Sequence, residues 1–385
     1  MDTSWWVSKE ELDPAQKEFI KLPAQGRYQL EGPAGSGKTN LLLLRAQFVA
    51  GQGDKNVLVI TYTNALCDFI RSGLIATGLM EEDQVKTFHS WARGHIQRYL
   101  KVDVIEKGAD FDDAARQRTV QFLAQANERL PAQRIYSSIF VDEAQDLTVS
   151  ELELLLCLAD NVCVCGDLKQ GIYQRDGLNI ASSMALERHV LTKHYRIGQR
   201  IAQVADRLLP QNSAADSLEA TSNYNQKLQG KPTAELHRCA DRAEQFEKMC
   251  TLLRIQLDAF RGDRIGIFCG KRDTAAEVME RFQGTEFEGK IRWHGADDFE
   301  TSDDGVIHVM TMHSAKGLEF RAVHMFGIEE LRQGPLSRNT LAYTAITRAK
   351  TSLNAYCSGK TNPALEEAFA EPAHMELDDL FPRAK

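Results

Sequence analysis

No apolar run in the 385 residues approaches the ~18 consecutive positions that a membrane-spanning helix requires. The longest candidates, NLLLLRAQFVA and LELLLCLA, are short and bordered or interrupted by charge. The opening MDTSWWVSKEELD has no basic start followed by an apolar stretch, so a secretory signal is not expected. None of the eight cysteines shows the CxxC spacing of a zinc site or redox pair. Cys163 and Cys165 alternate within an apolar, strand-like run, and reduced, mostly buried thiols in a cytoplasmic protein are expected. Internal repeats and low-complexity tracts are absent. Basic charge is also in deficit, with 46 Lys and Arg against 54 Asp and Glu, a net charge of −8. That balance excludes a basic field over the whole surface, so any nucleic acid has to be held in a local groove.

What the chain does contain is a 43% hydrophobic content spread over enough length for two or three units. YQLEG, VLVITY, SIFVDEA and VCVCGD are rich in β-branched and apolar residues, as strands buried on both faces should be, and helical patterns lie between them. RIGIFCG, GVIHVMTM, AVHMFG and SLNAYC repeat the habit in the second half. Two successive sets of such units predict an α/β fold with two mainly parallel sheets rather than one very large one. The expected division is a first domain over 1–195, a second over 196–370 and an acidic tail over 371–385. The polar stretch from Gln211 to Lys231 reads as a long connection in the second half.

GPAGSGKT, residues 32–39, has the GxxxxGK[ST] pattern of a phosphate loop, preceded by a strand and followed by a helical pattern. Gly32, Gly35 and Gly37, with Ser36, let successive N–H groups turn toward phosphate oxygens. Lys38 neutralises the outer phosphates, and the Thr39 hydroxyl is available to Mg2+. ATP and Mg2+ are the expected ligands. IFVDEAQD supplies a complementary acidic pair at a strand end, where Asp142 can hold the magnesium shell and Glu143 can activate water. Such a pair in isolation also fits a helix N-cap, and the phosphate loop favours catalysis.

The ordered motifs resemble superfamily 1 helicases of the UvrD/Rep type, over nearly the whole chain. LDPAQKEFI looks like the adenine-reading segment with Gln16 as reader, and Arg45 falls at the family's adenine-contacting position. VLVITYTNALC and TFHSWA resemble its two strand-binding motifs, DEAQD the acidic motif, and GDLKQGIY the sensor acting through Gln170. LTKHYR, TMHSAKGLEF and LAYTAITRAK follow in the family's order. The resemblance implies two RecA-like domains with the nucleotide in the cleft between them, and Arg196 and Arg348 as fingers on the γ-phosphate. It also implies Tyr195 stacking on adenine, and Gly317 and Glu319 near γ-phosphate and ribose. For a single strand or a single/double-strand junction, it implies contacts from Thr61, Tyr62, Thr87, His89, Tyr173, Thr311 and His313. Tyr62 and Phe88 fit a hydrophobic core equally well.

Three departures bear on mechanism. YQRDG puts Arg175 and Asp176 where the family usually has tryptophan and arginine; a guanidinium can still stack on a base and meets phosphate well. His194 replaces a common asparagine. Of the family's inserted subdomains, called 1B and 2B, the first is reduced to a short 1B-like insert expected near 92–135 and the second is essentially missing, with only residues 283–305 between the flanking motifs. The leading expectation is thus an ATP-dependent motor on single-stranded nucleic acid, DNA in preference, with 3′-to-5′ polarity taken from the resemblance. Unaided unwinding is expected to be poor. The alternative is a nucleic-acid-stimulated ATPase that gates a nuclease, repair or phage-defence partner without processive travel; an ATPase with no nucleic-acid substrate is a third possibility. In the tail, Met375, Leu377, Leu380 and Phe381 among carboxylates fit either a docking peptide or a terminal element packed on its own domain.

Overall fold

The computed structural model describes residues 12–53, 56–75, 80–103, 113–167, 175–210, 213–295, 305–332 and 334–370. The first half runs α1 (Pro14–Lys21), β1 (Arg27–Glu31), α2 (Lys38–Gly51), β2 (Val57–Thr61), α3 (Asn64–Ile75), β3 (Val85–Thr87) and α4 (Phe88–Leu100). It continues with α5 (Asp113–Glu128), β4 (Ser138–Val141), α6 (Val149–Leu156), β5 (Asn161–Gly166), α7 (Ile180–Ser183) and β6 (Glu187–Val190). After α8 (Gln199–Leu208) and α9 (Gln226–Gln229) come β7 (Thr233–Cys239), α10 (Arg242–Ala259), β8 (Ile265–Cys269), α11 (Arg272–Phe282) and β9 (Ile291–Trp293). The chain closes with β10 (Ile307–Thr311), β11 (Phe320–Phe326), α12 (Asn339–Ile346), β12 (Ala349–Ser358) and α13 (Pro363–Phe369).

These strands form two six-stranded sheets, ordered β3-β2-β4-β5-β1-β6 and β7-β12-β11-β8-β10-β9, and every pairing is parallel. Parallel strands need crossover helices, which cover both faces and force near-continuous apolar strands. In the first sheet, Leu58, Ile60, Ile139 and Val141 pack with α4, α5 and α6, while Val57, Val59 and Phe140 pack with α1, α2 and α3. Alternate residues of one strand thus feed two cores, as the pleat requires. The second sheet does the same, with α8, α12 and α13 on one face and α10 and α11 on the other. Each fully buried Leu or Ile contributes about 1.5–3 kcal/mol.

All eight cysteines are free, and all but the partly buried Cys157 are buried. No helix among the described residues is long and apolar enough to cross a membrane. The long polar connection is stitched back by His194, which is fully buried: its backbone bridges Ser222 and its ring bonds the Leu218 carbonyl. This is the structural use of the position where asparagine was expected. As in other open parallel α/β sheets, the loops that matter lie beyond the carboxyl ends of the strands: 32–37 after β1, 142–148 after β4, and 312–319 after β10.

Candidate nucleotide site and the residues around it

The loop after β1 leads into α2, whose first residue is Lys38. Gly37 caps that helix with φ 85° and no side-chain hydrogen bond, leaving the first N–H groups unsatisfied by a cap, an arrangement suited to phosphate. Gly35 has φ 78°, and a Cβ there would stand 2.9 Å from the Cβ of Arg196. Lys38 Nζ donates to the Gly32 and Pro33 carbonyls, each at 2.9 Å, so the ammonium lies over the loop. The Ser36 hydroxyl is buried and has no hydrogen-bond partner. A Cβ on Gly32 would meet it at 2.8 Å.

Thr39 Oγ1 donates to Asp142 Oδ2 at 2.7 Å, joining α2 to the end of β4. The other oxygen, Oδ1, accepts from the Glu143 amide and from Cys165 Sγ, both at 2.9 Å. Burial, with the neighbouring Glu143 charge second, pushes the Asp142 carboxyl above its ordinary range. A hydroxyl beside a carboxylate is the hard-oxygen pair with which Mg2+ is held when phosphates and water complete its shell, so the residues present fit that ion. No group of three or more metal-ligating side chains occurs among the described residues.

Glu143 sits in a left-handed backbone conformation at φ 54°, a strained position for a non-glycine residue. Its carboxylate accepts from Gln145 Nε2 and lies 3.6 Å from Lys316 Nζ. Burial opposes its ionisation, yet the charges of Lys316, Arg348 and Lys38 outweigh that penalty and hold the carboxyl below its usual range. Gln145 also accepts the Asp167 amide at 3.1 Å, tying the acidic turn to the end of β5.

Lys316 comes from the second sheet, on the turn after β10, and is 1% exposed. Besides Glu143 it meets Asp146 Oδ2 at 2.6 Å. Burial pushes the Asp146 carboxyl up to about 7 against the opposing pull of Lys316. Sequence reasoning passed over this lysine; the available signal was a lone cation among small and apolar residues in HSAKGLEF. Its neighbour Gly317 has φ 80°, and a Cβ there would lie 2.5 Å from Leu66 Cδ2 of α3.

The segment after β6 brings two further expected residues to the loop. The Tyr195 amide donates to the Gly35 carbonyl at 3.1 Å, and Arg196 donates to the Glu319 carboxylate. Lys350 Nζ lies 3.3 Å from the other Glu319 oxygen. Arg348 is buried and donates to the Thr344 and Leu318 carbonyls at 3.1 and 3.4 Å. Burial first, then Arg196, brings its guanidinium down to about 10, which leaves it charged at neutral pH.

On the far side of the loop, Gln16 and Asp13 form a capping box on α1, and Gln16 Nε2 donates to the Ser36 carbonyl at 2.9 Å. The Tyr195 hydroxyl donates to the second Asp13 oxygen. Arg45 is 1% exposed: it donates to the carbonyls of Phe19, Leu22 and Pro23 at 3.1, 3.1 and 2.9 Å and lies over Tyr28 at 4.7 Å. Its guanidinium is therefore engaged in bracing the end of α1, the helix that carries Gln16.

Of the residues expected to touch a strand, Thr61, Tyr62, Thr87 and His89 gather at the ends of β2 and β3. Tyr62 meets His89 edge-on at 5.8 Å between ring centroids and is mostly buried, whereas Phe88 is fully buried core. Thr87 caps α4 by accepting the Ser90 amide at 3.2 Å, and the buried Thr61 hydroxyl has no hydrogen-bond partner. Thr311 and the partly buried His313 flank the turn after β10, where the Thr311 and Ser314 hydroxyls are 3.0 Å apart. Arg175 is partly buried, while Asp176 accepts the Val149 amide at 2.9 Å and so steadies the start of α6. Gln170 and Tyr173 lie outside the described residues.

Residues 16–176 match the AAA domain, and residues 306–356 match the UvrD-like helicase C-terminal domain. A probable DNA helicase II homolog of Mycoplasma pneumoniae is 37% identical over 86 residues, 19% of this chain and 12% of that protein. The ATP-dependent DNA helicase PcrA of Bacillus subtilis is 28% identical over 160 residues, 37% of this chain and 22% of PcrA. The chain thus aligns with only a minor part of the length of these relatives. Among solved structures, the C-terminal domain of a possible DNA helicase from Lactobacillus plantarum is similar over 44% of this chain and 91% of its own, at 19% identity and a TM-score of 0.34. With the first match spanning the phosphate loop and acidic strand and the second spanning β10, β11 and α12, the chain is similar to UvrD/Rep-type superfamily 1 helicases in both of its halves.

Proposed function

We propose that the chain is an ATP-driven motor on single-stranded DNA, engaged at a single strand or a single/double-strand junction and travelling 3′ to 5′. Residues 1–195 and 196–370 act as two lobes closing on one triphosphate. Lys38, the α2 N-terminus and the loop glycines bind its phosphates, and Gln16 and Tyr195 orient its base. Thr39 and Asp142 hold Mg2+, which supplies Lewis-acid neutralisation of phosphate oxygens when bound. Glu143 accepts the proton of the attacking water, and Gln170 links phosphate state to the strand. Arg196 and Arg348 meet the negative charge that develops during transfer, while Glu319 orients Arg196.

The observation that supports this reading is the approach of two remote arginines to different parts of the site, Arg196 to the phosphate loop and Arg348 to the acidic turn. Arg196 is fastened beside the loop by the Tyr195–Gly35 bond, and the charge of Arg348 acts on Glu143. Steady-state ATP hydrolysis with and without oligothymidylate tests it; equal rates would remove the nucleic-acid part of the reading. A second reading, an ATPase that gates a partner without processive travel, is favoured by the short stretches 91–137 and 283–305, which leave little surface for prying a duplex apart. Fork unwinding by the isolated chain separates the two. The tail residues Met375, Leu377, Leu380 and Phe381, the proposed partner contact on that second reading, lie outside the described residues.

A further inference from the structure

Arg116 projects from α5, within the short stretch that separates the two strand-binding motifs from the acidic strand, and is 4% exposed. Its Nη1 donates to the Tyr62 hydroxyl at 3.3 Å. Its Nη2 donates to the Glu151 carboxylate and, at 3.5 Å, to the Asp146 carbonyl. Glu151 is itself fixed, because the same oxygen closes the capping box of α6 by accepting the Thr148 amide and hydroxyl at 2.8 and 3.1 Å. Burying a charge of this kind is costly, and an apolar side chain of similar size fills such a space without that cost. What the guanidinium provides instead is a rigid fork reaching three points at once.

Those points belong to two different regions. Tyr62 stands edge-on to His89 at the ends of β2 and β3. Asp146 turns its carboxylate to Lys316 at 2.6 Å, and Lys316 lies 3.6 Å from Glu143. The path Tyr62, Arg116, Asp146, Lys316, Glu143 is therefore continuous, and a shift of the tyrosine hydroxyl moves a fork anchored on the acidic turn. We propose that Arg116 is a positioning residue that transmits strand occupancy at Tyr62 and His89 to the geometry of Glu143. This rests on the proposed function, since it presumes that a strand stimulates hydrolysis.

The test compares full-length wild type with Arg116→Lys, which keeps the charge but loses the fork, and Tyr62→Phe, which keeps the ring but loses the hydroxyl. The measured quantity is the ratio of ATP hydrolysis with saturating oligothymidylate to hydrolysis without it. Both variants are expected to lower that ratio about fivefold. The affinity of Arg116→Lys for labelled oligothymidylate, read by fluorescence anisotropy, should stay within about twofold of wild type. The double variant should lose no more than either single one, the behaviour of residues acting in one path. Should Arg116→Lys fail to fold, by circular dichroism, Tyr62→Phe alone carries the comparison. A stimulated wild type with equally stimulated variants, or additive losses, overturns this inference and leaves the proposed function standing. A wild type indifferent to the strand overturns both.

Discussion

The ammonium of Lys316 lies 2.6 Å from Asp146, bringing a cation from the turn after β10 into the acidic turn after β4. Both partners are almost wholly shielded from water, Lys316 at 1% and Asp146 at 0% exposure. A buried pair of this kind adds little over a well-packed apolar pair, yet breaking one side leaves an uncompensated charge that costs about 3–5 kcal/mol. Lys316→Met is therefore expected to lower the urea midpoint and to slow ATP hydrolysis, because Glu143 loses its foremost cation. Unchanged stability and turnover in Lys316→Met would show that the pair serves neither purpose.

Arg348 donates to two carbonyls, and its charge acts across the site on Glu143 and Glu319. Removing it should reduce kcat by ~10³ or more, the scale seen when an arginine finger is lost. Glu143→Gln should bind ATP while turning over far more slowly. Single-turnover hydrolysis beside ATP binding by titration calorimetry checks both, and wild-type turnover in Arg348→Ala would take that residue out of the mechanism.

Asp142 divides its oxygens, giving one to Thr39 and the other to Cys165 and the Glu143 amide. Asp142→Ala is expected to abolish the gain in nucleotide affinity that Mg2+ confers, while affinity measured with EDTA changes little. The readout is fluorescent-nucleotide binding with and without the ion. A variant retaining the full Mg2+ gain would place the ion elsewhere.

Burial holds four imidazoles well below the ordinary 6.5, with His194 and His294 at about 4, His324 at about 3 and His308 at about 2. Their folded values lie below the unfolded one, so the unfolded chain takes up protons first. Their contribution to stability is complete above pH 6.5 and is lost as pH falls, down to about 4 for His194 and His294 and further, to about 3 and about 2, for His324 and His308. Asp146 works the other way: its carboxyl, raised to about 7, favours the folded state at low pH, and this advantage fades as pH rises from 3.8 to 7. Asp142, whose carboxyl is also raised, acts in the same direction as Asp146, so two carboxyls stand against four imidazoles and the net expectation is a falling urea midpoint between pH 6.5 and 4. His324→Gln should flatten that slope, since His324 is locked between the Tyr356 hydroxyl and Gln256 at 2.8 and 2.7 Å. A midpoint that rises on acidification would contradict the balance.

Much of this architecture could be read before any coordinates, for a physical reason. Strands buried on both faces must be apolar runs, so β1, β2, β4, β5, β8, β10, β11 and β12 announce themselves. The strands that escaped, β3, β6, β7 and β9, are sheet edges. β6 is the polar run ERHV with most of its residues exposed, and β3 and β9 span three residues each. Within the site, Lys38, Thr39, Asp142 and Glu143 were legible because phosphate and metal chemistry demands those residue types in fixed order. Arg116 and Lys316 were not, because their partners come from distant parts of the chain and only folding creates the pairing. Arg45 shows the reverse limit: its place on α2 was readable, but not that four carbonyls between Phe19 and Pro23 would surround its guanidinium.

The hydrogen bond from Tyr195 to Gly35 fixes where the chain leaves the first sheet, directly against the loop that faces the phosphates. A joint located there gives any swing of the second sheet a lever arm that is nearly zero at the fuel and greatest at the outer rims. In the proposed motor, closure of the lobes on a triphosphate would then move the outer rims farthest, where the molecule lies most distant from its own chemistry.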